Sequence, residues 1–320
     1  MPFKRIKIKS LADLLRCINL SSLLELSGWP KPGNVHRTQN FLKTRYEHFL
    51  AGIAAVQPDF SNFCNQIYYT DTKNTLNFSF IQLGKLYQSA SKSMMDWQNG
   101  GNVILGHILI LAPLVAAATV CLKENKYLFE DFRSYLNKII EDATIEDTVL
   151  LYKAIKNCNP GGLGKINNYD LTETDSIEKI KKDGVTLKKI FKLSKDYDLI
   201  SREYFSGFQI TLNMGLPYFF DIFNEYKDIN IAIVNTYLKI LSEHNDTLII
   251  RKSGADAAIK VKKAAKKIIL NNGIASKSGL DLTNELDFEL QKANGKLNPG
   301  TSADILAGVI FCALISGLKF

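Results

Sequence analysis

The 320-residue chain is 46% apolar and carries 40 Lys plus Arg against 32 Asp plus Glu, a formal net charge of +8. That apolar share excludes a disordered chain and suffices for a large buried core, in one helical domain spanning residues 1–320. The positive excess favours an anionic partner such as a nucleotide, although most of it reads as a solvated, lysine-rich surface.

In chain order, Ser10-Leu-Ala-Asp13 opens an apolar helix through Leu26, and Gly28-Trp29-Pro30-Lys31-Pro32-Gly33 stops it. A second helix is predicted from Thr44 to Val56, stopping before Pro58, and a third from Leu76 to Asp96. Gly100-Gly101-Asn102 then leads into Val103–Leu122, which has spanning length and no Asp, Glu, Lys or Arg. Because it contains Gly106, His107 and Pro113 in a chain of otherwise near-neutral hydropathy, it reads as a buried central helix and not a membrane span. Thr144-Ile-Glu-Asp147 caps a helix that ends at Asn159-Pro160-Gly161-Gly162, and 167–183 reads as an exposed excursion. A helical period returns from Thr186 to Asn213, and further helices are predicted near 221–243, 254–271, 279–293 and 303–318. No alternation of strand type persists, so the fold class is all-α: a multi-helix bundle around two buried apolar helices, 103–122 and 303–318.

Five scattered cysteines form no C-x-x-C pair, and Cys17, Cys121 and Cys312 sit in apolar segments as small buried hydrophobes. Together with an amphipathic helix, not a secretory core, after the basic N-terminus, this predicts a cytoplasmic protein. The four histidines and isolated cysteines lack zinc-ligand spacing. Lys260, Lys262, Lys263, Lys266 and Lys267 form a basic face without aromatic interleaving, so no nucleic-acid partner is expected.

The polar chemistry concentrates in loops. Pro30-Lys31-Pro32-Gly33-Asn34-Val35-His36-Arg37 combines a stiff backbone, a permissive glycine and three cationic or ionisable side chains, which suits a polyphosphate as well as an ordinary turn. Glu47 and His48 open the next helix, where His48 is a candidate for proton transfer. Asn159-Pro160-Gly161-Gly162-Leu163-Gly164-Lys165 lacks the residues of a true P-loop. Asp196, Asp198, Arg202 and Glu203 form a dense cluster within a predicted helix. Asp246-Thr247 and Arg251-Lys252 precede a helix starting near Ala255. Asn298-Pro299-Gly300-Thr301-Ser302-Ala303-Asp304 places Thr301, Ser302 and Asp304 at a helix N-terminus, where Asp304 suits either the dipole or Mg²⁺.

Glu25–His36 (E-L-S-G-W-P-K-P-G-N-V-H), Gly101-Asn102 with Gly106, Asp246-Thr247, and Pro299-Gly300 with Ser302-Ala303-Asp304 resemble, in order, the triphosphoribosyl-dephospho-coenzyme A synthase family. The Pro160–Gly164 segment and the 196–204 cluster are similar to a divergent, archaeal-type branch. Where the bacterial pattern carries a histidine and a lysine at the mouth of the central helix, this chain has Ile104 and Leu105. The resemblance implies an all-helical transferase joining ATP to 3′-dephospho-coenzyme A with release of adenine. The product is the precursor of the prosthetic group of citrate lyase or malonate decarboxylase.

On that resemblance, Lys31, Gly33, Arg37, Asn102, Arg251, Lys252, Thr301 and Ser302 are expected to hold nucleotide phosphates. Glu25, Asp246 and Asp304 are expected to hold Mg²⁺ or ribose, and Glu25, His36, His48 and Asp246 to carry the catalytic roles. The expected partners are ATP and a coenzyme A-like or other small acceptor, with no nucleic acid or membrane and with a homodimer left open. Two alternatives accompany this reading: ribosyl transfer to a different acceptor, or a non-catalytic nucleotide-binding protein. All three require that segments near positions 31, 102, 246 and 304 converge.

Overall fold

The computed structural model describes residues 4–71, 77–159 and 168–320. Among these residues the regular structure is helical, with two isolated β-bridges and no strand, so the all-α expectation is met. The first half comprises α1 (Leu11–Ser27), α2 (Tyr46–Tyr69), α3 (Leu83–Asp96), α4 (Leu105–Lys123), α5 (Phe129–Glu141) and α6 (Ile145–Cys158). The second comprises α7 (Ser176–Lys182), α8 (Leu187–Ser194), α9 (Leu199–Ser206), α10 (Leu216–Tyr226), α11 (Ile229–Glu243), α12 (Thr247–Ser253), α13 (Ala255–Leu270), α14 (Lys277–Gln291) and α15 (Gly300–Ile315).

The apolar helices α4 and α15 pack on each other, with α1 against both and α2, α3 and α5 around α4. Gly308 makes the approach possible: a Cβ there would stand 2.6 Å from Ile110 Cγ2. Among the described residues α4 alone is long and apolar enough to cross a membrane, yet 94% of its apolar window lies buried inside the fold. Its hydropathy is therefore satisfied by neighbouring helices. Cys64, Cys121, Cys158 and Cys312 are buried and Cys17 half-buried, and burial pushes the Cys64, Cys121 and Cys158 thiols up to about 12.

Several element boundaries differ from expectation. Helix α2 runs through Pro58 because Ala54, whose carbonyl loses its partner, faces solvent, while Ile53, Val56, Phe60, Phe63 and Ile67 bury one stripe on both sides of the proline. The third helix begins at Leu83, after a 3₁₀ turn over Ser79–Ile81. The period over 186–213 is broken into α8, α9 and a π-helical segment, Ile210–Gly215: Asp198 accepts from Ser201 N as the cap of α9, and Gly207, at φ +70°, ends it. Glu203, grouped in the sequence with Asp196, Asp198 and Arg202, is fully buried and accepts from Ile210 N and Thr211 N at 2.8 and 2.9 Å. Within 167–183, Asp170, Ser176 and Ile180 are buried, so that stretch is partly built into the fold. The Pro160–Lys165 loop lies outside the described residues.

Pro113 sits in the buried interior of α4, where it cannot donate to the Leu109 carbonyl. The Tyr204 hydroxyl from α9 fills that vacancy, donating to Leu109 O at 2.6 Å, and the Tyr87 hydroxyl lies 2.6 Å from Tyr204 Oη. Replacing Tyr204 by Phe strands a buried carbonyl and is expected to cost about 1–3 kcal/mol in urea unfolding. The same change made in a Pro113→Ala background should cost less, because residue 113 then supplies its own N–H. Equal costs in both backgrounds would contradict this account.

Candidate functional site

Helix α1 delivers Glu25 to the interior on its last turn, and Gly28 ends the helix hard against α11, where a Cβ would meet Ile233 Cγ2 at 2.7 Å. The chain then turns back, so that Lys31 Nζ donates to the Glu25 carbonyl at 2.6 Å and to the Glu25 carboxylate. Lys31 and Glu25 are 1% and 2% exposed. Two helices hold this loop from behind. From α11, the Tyr237 hydroxyl donates to Pro32 O at 2.7 Å and accepts from Asn34 Nδ2 at 2.6 Å. From α14, Asp287 accepts from Gly33 N at 2.9 Å and pairs with His36 Nε2 at 3.1 Å, while Gln291 Nε2 donates to Asn34 O at 2.8 Å. Gly33 has φ +75°, and a Cβ there would stand 2.9 Å from the Leu297 carbonyl, so the turn requires glycine.

The other side of Glu25 meets α4. His107 Nε2 lies 3.2 Å from Glu25 Oε2 and 3.7 Å from Asp304 Oδ1. Asp304, on the first turns of α15, rests on the backbone of Gly106: a Cβ there would fall 1.9 Å from Asp304 Oδ2. Its side chain is 21% exposed, against 3% for Glu25 and 4% for His107, so Asp304 is the open end of a buried Lys31–Glu25–His107–Asp304 chain.

The two carboxyls are driven apart. Burial by itself would raise Glu25, but Lys31 and His107 outweigh it and hold the group below its ordinary value. Burial pushes Asp304 up to about 7, with Glu25 and Asp246 adding repulsion and His107 and Arg251 only partly offsetting it. Burial also raises Asp246, partly countered by the Ser302 hydrogen bonds. Tyr237 is held neutral by burial and by the carboxylates of Asp246, Asp287 and Glu25.

Of the residues singled out in the sequence, Glu25, Lys31 and Asp304 meet directly. Asp246 joins through its neighbours: it caps α12 by accepting from Leu248 N and Ile249 N, and its other oxygen accepts from Ser302 N and Oγ at 2.7 and 2.9 Å. Both Asp246 oxygens are thereby committed to tying α12 to α15. Thr301 is buried, with Oγ1 3.2 Å from Thr247 Oγ1. Thr301 and Ser302 therefore act as joints between helices, not as an open phosphate cradle. Asn102 is exposed and caps Leu105 N at 3.2 Å.

Of the remaining candidates, His36, His48 and Arg37 lie apart, while the charge of Arg251 reaches both Asp246 and Asp304. His36 is buried on Asp287, and His48 accepts from Arg45 N at 3.1 Å and packs on Gly100. Arg37 stands over the Trp29 ring. Arg251 pairs with Asp198 at 3.1 Å, and Lys252 Nζ donates to Gly295 O at 3.1 Å.

The expected Mg²⁺ ligand set does not assemble. Lys31 and His107 occupy the Glu25 oxygens, those of Asp246 are saturated by helix amides and Ser302, and among the described residues no three or more His, Cys, Asp or Glu side chains are grouped to hold a metal. These residues do not fit a resident metal ion.

A sequence profile of ATP:dephospho-CoA triphosphoribosyl transferases (CitG) matches residues 11–319. The chain belongs to this family. Among curated members, the 2-(5''-triphosphoribosyl)-3'-dephosphocoenzyme-A synthase of Escherichia fergusonii is 33% identical over 102 residues, 32% of this chain and 33% of that protein. The synthase of the same name from Klebsiella pneumoniae is 29% identical over 102 residues, again 32% and 33% of the two chains. The matched stretch thus spans about a third of these relatives' length. A crystal structure from Archaeoglobus fulgidus, assigned as a triphosphoribosyl-dephospho-CoA synthase, superposes with a TM-score of 0.60 at 24% identity, covering 84% of this chain and 100% of that one. That likeness speaks for a shared fold.

Within this CitG-family fold, His107, Asp287 and Tyr237 were not singled out as site residues in the sequence. His107 gave a signal, as the one histidine in the apolar run ahead of Lys123. It stands one turn beyond Ile104 and Leu105, which are buried. Asp287 lies in an ordinary amphipathic pattern, and only the fold reveals its partners.

Two outcomes test this geometry. Gly106→Ala should displace Asp304 and lower kcat by about 100-fold or more, a loss read by steady-state assay of the family reaction while the far-UV spectrum stays unchanged. Asp304 holds its proton in the fold up to about 7 but only to 3.8 by its ordinary value, so its contribution to stability falls as pH rises through that window. Asp304→Asn should therefore melt higher than the parent at pH 8 and close to it at pH 4; a lower melting temperature at pH 8 contradicts the assignment.

Proposed function

We propose that the chain transfers the triphosphoribosyl group of ATP to the ribose hydroxyl of 3′-dephospho-coenzyme A, releasing adenine. Family membership supports the reaction class, and the observation that carries the residue assignment is Asp304 standing partly open at the end of the Lys31–Glu25–His107 chain. In the reaction the acceptor oxygen bonds to the anomeric carbon as the bond from that carbon to adenine breaks. The hydroxyl loses one proton and adenine gains one.

Asp304 is the base in this reading. A carboxyl raised to about 7 is a stronger proton acceptor than an ordinary aspartate and is still substantially ionised at neutral pH. Glu25, kept ionised by Lys31, holds His107 in place, and His107 faces the Asp304 carboxylate as it ionises. Lys31 is committed to Glu25, so the triphosphate falls to the more exposed cations, Arg251 and Lys252 beside Asp246. Mg²⁺ enters with the triphosphate as part of the substrate.

A second reading, transfer of the same group to a different acceptor, is favoured by one observation: Ile104 and Leu105 are apolar and buried at positions where the bacterial pattern carries His and Lys.

Pure protein incubated with MgATP and dephospho-coenzyme A should release adenine in step with loss of the acceptor. Release only with another hydroxyl acceptor supports the second reading, and no release with either contradicts both. The rate should rise with pH to a plateau above about 7, where Asp304 is ionised. Asp304→Asn should lose about 100-fold or more and flatten that limb.

A further inference from the structure

A groove of about 440 Å³ runs between α13 and α14, floored by Ala257, Val261, Leu286, Leu290 and Leu297. Its polar members, Ser253, Asp256 and Lys260, are exposed. It is an open groove with an apolar floor and a few polar groups at its edge.

The groove adjoins the loop that carries Lys31. Leu290 and Leu297 press on Gly33, two residues after Lys31, with contacts of 3.0 and 2.9 Å to the position a Cβ would take. Leu297 leads through Pro299 into α15, which carries Asp304. The junction of α12 and α13 is sewn to the opposite edge, Ser253 Oγ donating to Lys296 O at 3.0 Å and Lys252 Nζ to Gly295 O at 3.1 Å. Lys260 and Asp256 line the groove, and Arg251 and Lys252 on the adjoining turn leave that end with a net positive charge.

The floor is wholly aliphatic. A nucleobase gains most from a flat ring to stack on, and no aromatic side chain lines this groove. A branched alkyl chain interrupted by amides and ending in a diphosphate matches both the floor and the cationic end. On the transferase reading, one substrate has that chemistry.

We propose that the α13–α14 groove seats the pantetheine arm of the coenzyme A-type acceptor, with Lys260 meeting its diphosphate. This inference rests on the transferase reading. Ala257 is half-buried and Lys260 exposed, so both can be changed with little risk to the core. Ala257→Phe should fill the groove and raise KM for dephospho-coenzyme A by about ten-fold or more, with kcat and KM for ATP within about two-fold of the parent. Lys260→Glu should raise the same KM, and added salt should narrow its difference from the parent. 4′-Phosphopantetheine should compete with dephospho-coenzyme A in the parent and lose that competition in Ala257→Phe. If Ala257→Phe does not fold, Lys260→Glu and the competition in the parent decide the matter. A parent that releases adenine, with acceptor KM unchanged in the folded variants, overturns the groove assignment and leaves the transferase reading standing. A parent that releases no adenine with this acceptor overturns the inference together with the reading beneath it.

Discussion

The site depends on burying one lysine. Lys31 is 1% exposed, and an ammonium group taken that far from water is tolerable only with an opposite charge and further acceptors close at hand. Glu25 supplies both, through its carboxylate and its own carbonyl. To bring the two together, α1 must end at Gly28 and the chain must double back, and that reversal is pinned by Tyr237, Asp287 and Gln291 from two other helices. The loop is thus a folded part of the interior. Removing either member of the pair would leave the other as an uncompensated charge among α1, α4 and α11.

The same pair sets the electrostatics of its neighbours. Lys31 and His107 keep Glu25 ionised despite its burial, and the presence of that anion, with Asp246, helps push Asp304 upward. Two carboxyls bridged by one histidine therefore have opposite protonation tendencies, an arrangement that recurs where an acid or base must work near neutrality. The cost is carried by the fold. Asp304 would be easier to bury as an amide, so an acid on the bare backbone of Gly106 costs the fold stability once it ionises.

Periodicity and capping made much of the architecture legible. Ser10 and Thr144 cap helices as their sequences predict, and the uncharged run at 103–122 and the apolar C-terminal helix are the central packed pair. The boundaries that failed did so where a distant group overrides a local signal. Pro58 does not end α2 because the tertiary stripe continues past it, and Glu203 is drawn inside by the amides of Ile210 and Thr211. In the site, Lys31, Glu25 and Asp304 stood out by chemistry at loop ends. Asp246, Thr301 and Ser302 stood out equally and are used to join helices, because spacing along a chain does not tell which hydrogen-bond capacity packing will consume. Asp287 left no local trace, since its partners lie about 250 positions away.

The bond between Tyr204 and the Leu109 carbonyl bears on how this sequence can change over generations. A proline at 113 is tolerable in a dry helix interior because a hydroxyl from another element answers the carbonyl it releases. Once both residues are present, each becomes the condition for the other: losing the tyrosine strands the carbonyl, and losing the proline leaves a buried phenol competing for an oxygen already taken. Positions 113 and 204, some ninety residues apart, are therefore coupled through one carbonyl. Divergent members of the lineage should carry both residues or neither, and a chain that has exchanged only one needs a third group in the gap.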